Sequence, residues 1–122
     1  MLHKETTDSI LNAFYNVYNT LGYGFLEKVY EKALLIELSK FGLEAKNQVP
    51  IKVYYSDQIV GDYFADIIVQ DKVIIELKAH ENLLDQHEYQ LINYLKATKI
   101  EVGLLLNFGM KPQFSRKVWT IK

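Results

Sequence analysis

Three charged residues stand in segments whose neighbours are apolar. Ile59 to Val69 alternates as a strand, and so does Val73 to Ala79. In the first, Asp62, Phe64, Asp66 and Ile68 share one face; in the second, Ile74, Glu76 and Lys78 do. The odd-numbered set is apolar and reads as core: Tyr63, Ala65, Ile67 and Val69 with Val73, Ile75 and Leu77. The even-numbered face is apolar beside the turn and charged at its far end, where Asp66, Glu76 and Lys78 fall. A buried carboxylate is costly unless it is paired or binds a metal. Two side by side repel, which raises the pKa of at least one. A hard cation such as Mg²⁺ removes that penalty with only one or two carboxylates. A lysine beside it can hold or deprotonate a water, or stabilise charge developing on a phosphate. The trio therefore suits metal-assisted phosphodiester hydrolysis. An ordinary cross-strand salt-bridge cluster has the same composition, and spacing alone does not separate the two.

The site exists only in one register. If Gln70 and Asp71 made a two-residue hairpin, Asp66 would oppose Ile75, and Asp66 and Glu76 would point to opposite faces. A three-residue loop, Gln70-Asp71-Lys72, makes Val69 oppose Val73 and Asp66 oppose Glu76. It usually requires a left-handed residue, which Asp71 tolerates, and a bulge would serve equally.

The surrounding elements follow from periodicity. Residues 7–20 read as a helix on the spacing of Ile10, Leu11, Phe14, Val17, Tyr18 and Leu21, with Thr7 or Asp8 as cap. A second helix runs from Leu26 to Lys40, with Gly42 as its stop. Val49 to Tyr55 reads as a strand before the two already named. Leu84 to Ala97 is helical, Val102 to Asn107 is a short buried strand, and Phe114 to Ile121 an edge strand. The order is α-α-β-β-β-α-β-β: an α/β fold with a mixed central sheet flanked by helices, the crossover between its third and fourth strands parallel.

Composition narrows the setting. The 122 residues suit one domain spanning 1–122. The net charge of −1 and pI near 6.3 give no overall basic footprint for nucleic acid. Any such contact needs a local patch or a dimer. With no cysteine there is no disulfide, thiolate zinc site or Cys nucleophile. No signal peptide is visible, and no apolar run is long enough for a bilayer, so the expected location is cytoplasmic, away from membranes.

Gly24-Phe25-Leu26-Glu27-Lys28-Val29-Tyr30 matches the signature of the GxxExxY family. The resemblance continues through Val60 to Asp66, Asp71 to Ala79, His87 to Thr98 and Gly103 to Gly109, nearly the whole chain. That family resembles a branch of the PD-(D/E)XK superfamily, with its restriction-endonuclease-like fold. The resemblance implies that Asp66 and Glu76 ligate Mg²⁺ or Mn²⁺, that Lys78 is the catalytic lysine, that Glu27 is an extra acidic residue at the metal, and that Gln90 is the polar residue of the following helix. Ala65 stands where the superfamily places proline.

Each supporting residue also has a plainer role. Glu27 can complement the helix dipole in a first turn, and Tyr30 sits on an apolar stripe. Gln90 can cover a sheet edge. His87 lacks a second ligand at zinc spacing, and His80 reads as an exposed loop residue. The nine tyrosines can stack on bases, but most fall at expected core positions. Leaning towards an enzyme, the expectation is a metal-dependent nuclease acting on DNA or RNA, helped by a homodimer or a partner protein because the chain is short. The alternative is a non-catalytic binding or assembly module, which the acidic pI favours. A phosphodiesterase acting on a small nucleotide is a third reading.

Overall fold

The structure, a computed structural model, describes residues 1–120. Its elements are α1 (Lys4–Leu21), α2 (Glu27–Lys40), β1 (Ala45–Tyr55), β2 (Gln58–Val69), β3 (Val73–Lys78), α3 (Asp85–Thr98), β4 (Val102–Phe108) and β5 (Pro112–Val118). The sheet runs β1-β2-β3-β4-β5, with β3 and β4 parallel and the other neighbours antiparallel. This is the expected order and sheet. Ile121, the end of the expected final strand, lies outside the described residues.

Most boundaries shift by a residue or two, and β5 begins at Pro112 and ends at Val118, short of the expected end; two further shifts have local reasons. α1 begins at Lys4, before Thr7, so neither Thr7 nor Asp8 caps it. Lys4 and Asp8 instead pair one turn apart at 2.6 Å, and the Thr7 hydroxyl donates back to the carbonyls of His3 and Lys4. β1 begins at Ala45, four residues before the alternation is visible. Gln48, at φ 51°, breaks the pleat between the two stretches. α2 stops as expected. Gly42 is left-handed at φ 73°, and the Leu43 N–H donates to the Leu38 carbonyl at 3.0 Å.

Helices cover both faces of the sheet. Ile67, Val69, Val73, Ile75 and Leu77 pack under α1 and α2 against Phe14, Tyr30 and Leu34. Ile68, Ile74 and Leu105 pack under α3 against Leu91 and Leu95. Gly103 allows this second contact, because a Cβ there would meet Leu91 Cδ1 at 2.7 Å. The odd-numbered face of β2 is not one core, however. Ala65 packs with the α3 cluster, and Tyr63 is 46% exposed with its ring 5.6 Å from that of Tyr94 on α3. The alternation changes face near Asp66, where β1 pairs Asn47 with Ile67 and Val49 with Ala65 but leaves Gln48 and Asp66 out of the ladder.

The β2–β3 register is the odd offset that a shared face requires: Val69 opposes Val73, Ile68 opposes Ile74 and Ile67 opposes Ile75. Gln70 and Asp71 both take positive φ, 56° and 55°, and the Lys72 N–H closes the turn on the Val69 carbonyl at 2.9 Å. The ladder ends at Ile67. From Gln58 to Ala65, β2 pairs with β1 alone, as a two-stranded ribbon. Among the described residues no helix is long and apolar enough to cross a membrane.

Candidate active site

The candidate site lies where β2 leaves β3. Here the two carboxylates take over the ladder's hydrogen bonds. Asp66 Oδ2 accepts the N–H of Leu77 at 2.8 Å, and Glu76 Oε2 accepts the N–H of Asp66 at 2.8 Å. Each acid thus holds the other's strand, and the pair lies across the two central strands. Glu76 is 5% exposed and Asp66 half-buried.

Burial dominates their ionisation. It pushes the Glu76 carboxyl up to about 8, with the Asp66 charge adding to the effect. Asp66 also lies above the usual carboxylate range, first from burial and then from Glu31 and Glu27, with the Leu77 N–H opposing. The Lys78 charge lowers both. Among the described residues, however, no ion pair joins Lys78 to either acid. A cross-strand salt-bridge cluster therefore does not describe the trio: backbone amides hold the acids, and Lys78 stays uncommitted beside them.

The α2 motif positions its own residues. Gly24 turns the chain at φ 109°. Tyr30 is fully buried, as expected, and its ring stacks on Phe108 with centroids 4.1 Å apart. Its hydroxyl donates to the Gly22 carbonyl at 2.7 Å and accepts the Phe25 N–H at 3.2 Å. That clasp fixes the loop from which α2 starts. Glu27 is then the first helical residue, exposed, with its charge felt at Asp66 and Glu76. Among the described residues no three Asp, Glu or His side chains gather around one metal position in this structure, and Glu27 stands apart from the buried pair. The reason is its place at the solvent-facing start of the helix.

The residue one turn further on goes inward instead. Glu31 is 4% exposed and accepts from Gln48 Nε2 at 2.8 Å and Asn47 Nδ2 at 3.2 Å. Gln48 also reaches Asp66 Oδ1 at 3.5 Å. Sequence reasoning missed Glu31 and Gln48. The Glu27-x-x-x-Glu31 spacing, one helical turn, was the available signal for the first.

On the other side, α3 brings Tyr94, 6% exposed, whose hydroxyl is pushed up to about 12 by burial and then by Glu76 and Asp66. Gln90 lines a groove of about 750 Å³ between α3 and the β1–β2 ribbon. His80 is exposed, with its ring 4.9 Å from His87. His87 is buried, accepts the Leu84 N–H at 3.2 Å, and has a lowered pKa, from burial first. Asn107, fully buried, bonds both backbone polar groups of His80 at 2.9 Å and so fixes the chain just after Lys78. The tyrosines depart from expectation. Tyr23, Tyr54, Tyr55, Tyr63 and Tyr89 are exposed, and only Tyr30 and Tyr94 are buried. Their positions in the apolar pattern suggested core, but the ribbon extends past β3 and carries Tyr54, Tyr55 and Tyr63 with it.

Asp66 Oδ1 and Glu76 Oε1 take no part in the two backbone amide bonds, and buried carboxylate oxygens of this kind fit a hard divalent cation. Residues 4–118 match the family model of the PD-(D/E)XK nuclease superfamily. No curated protein matches the chain in sequence. Among solved structures, the crystal structure of SSO0001 is similar with TM-score 0.62 and 19% identity, over 78% of this chain. The match spans half the length of that protein.

Proposed function

The chain belongs to the PD-(D/E)XK nuclease superfamily, and from that premise we propose that it is a nuclease hydrolysing phosphodiester bonds in DNA or RNA with Mg²⁺ or Mn²⁺. The observation that carries this reading is the buried Asp66–Glu76 pair, held by backbone amides instead of by a neighbouring cation. A structural ion pair would place Lys78 on one of these acids. Here the lysine is left for another partner.

Asp66 and Glu76 are the residues that hold the cation. When bound, such an ion supplies neutralising charge at the phosphate and activates water. Lys78, on the strand that carries Glu76, orients the attacking water or stabilises the charge developing on the phosphate. Gln48, fixed by Glu31, keeps Asp66 in place, and Glu27 adds negative field from the start of α2.

The test is incubation with plasmid, linear single strands and RNA, each with Mg²⁺, Mn²⁺ or EDTA. The expected result is cleavage that requires the metal and is lost in Asp66→Asn and Lys78→Ala. Cleavage that persists in EDTA, or in both variants, would overturn the assignment.

A further inference from the structure

The groove between α3 and the ribbon has a lining that differs from the rest of this weakly acidic surface. One wall is a stripe of α3: Gln86, Tyr89, Gln90, Asn93 and Lys96 recur at the three- and four-residue spacing of a helix face. The other wall is the ribbon, with Tyr54 and Tyr63. Tyr94 lines the groove and packs in the same cluster as Ala65, the residue before Asp66, so the groove adjoins the strand that carries this acid. Among the described residues no Asp or Glu lines it, while Lys52, Lys96 and Lys99 do. Lys52 is tied to Asp62 at 2.9 Å and Lys99 lies over the Trp119 ring. Lys96 has no such contact and is exposed.

Resting on the nuclease reading above, we propose that this groove binds single-stranded nucleic acid, its bases stacked on the exposed tyrosines and its backbone held by the lysines. Tyrosine faces are useful only to bases whose own faces are free. In a duplex those faces are stacked, whereas in a single strand they are available. The amides of Gln86, Gln90 and Asn93 can meet base edges with either donors or acceptors, which suits all four bases. The absence of lining carboxylates answers the net charge: the groove provides the local cationic patch that the composition lacks. A concave site of this volume takes a few nucleotides.

The test is fluorescence anisotropy in EDTA, which separates binding from cutting, with labelled oligothymidylate, oligouridylate and a duplex of equal length. Single strands of DNA, RNA or both should bind more tightly than the duplex. Tyr54→Ala and Tyr89→Ala should each weaken binding about five-fold or more. Both side chains are more than 60% exposed, at 62% and 64%, so their melting temperatures should match the unsubstituted protein. Tyr89→Phe should restore affinity, and Lys96→Glu should weaken binding and flatten its salt dependence. Equal affinity for duplex, tyrosine variants that bind as the parent does, or no binding to any strand would overturn the proposal. Metal-dependent cleavage unaffected by the tyrosine substitutions would remove the groove and leave the nuclease. Binding that obeys these substitutions, with no cleavage in Mg²⁺ or Mn²⁺, would do the reverse.

Discussion

Replacing Glu76 by Gln should stabilise the metal-free protein, and only at neutral to alkaline pH. The folded-state pKa of Glu76 is raised from 4.5 to about 8. Its contribution is therefore fully present below about pH 4.5 and is lost as the pH rises towards about 8. At about 1.4 kcal/mol per pH unit, the difference corresponds to a loss of about 5 kcal/mol across that window. Water entry and side-chain relaxation at the mouth of the site reduce the expected loss to about 2–3 kcal/mol. Gln keeps an acceptor for the Asp66 N–H and has no charge to lose. Urea unfolding in EDTA at pH 5 and pH 8.5 measures this. The parent should lose about 2–3 kcal/mol more than Glu76→Gln between the two conditions, and the variant should be the more stable at pH 8.5. A variant that is less stable at both values would refute the reasoning. It would mean that the ionised carboxylate is a net stabiliser through its amide bond, and that the pair needs no cation.

Metal should act in the opposite sense. Saturating Mn²⁺ at about 100 times its Kd should stabilise the parent by about 2.7 kcal/mol, read as a raised melting temperature that Asp66→Asn abolishes. Lys78→Ala should lower cleavage about 100-fold or more while leaving the melting curve in place, since no ion pair ties Lys78 to the acids; a lost fold would contradict this. Tyr30→Phe should cost about 1–3 kcal/mol in chemical denaturation, because the Gly22 carbonyl and the Phe25 N–H lose their partner. Gly103→Ala should destabilise by about 1–3 kcal/mol, since its methyl would sit against Leu91, and Leu91→Ala should recover part of the loss in the double variant.

Element order was legible because each helix and strand carries its own period, and the β2–β3 register because a shared face for both acids requires an odd offset. Less accessible was whatever depends on a local exception. A positive φ at Gln48 hides the start of β1 and lifts Asp66 out of the ladder, and no residue pattern announces a left-handed glutamine. Glu31 reads as an ordinary surface acid of α2, yet the amides of Asn47 and Gln48, distant in sequence, fold over it. The tyrosines misled for the converse reason. Alternation places Tyr63 with Ala65 and Ile67 on one face, but it cannot register a change of face at Asp66 or a ribbon that outruns its neighbour. Side-chain period reports local geometry, while exposure depends on which strands stop first.

The exchange of amide partners between Asp66 and Glu76 also gives the site a built-in spectroscopic readout. The N–H groups of Asp66 and Leu77 donate to the very oxygens whose charge changes with ionisation or ligation. Their chemical shifts should therefore titrate with Glu76, and their exchange with solvent should report how firmly the two strands are joined at that point. Binding of a cation would register at two backbone protons before any substrate is present. An amide-resolved titration could follow the state of the site in an intact protein that cuts nothing.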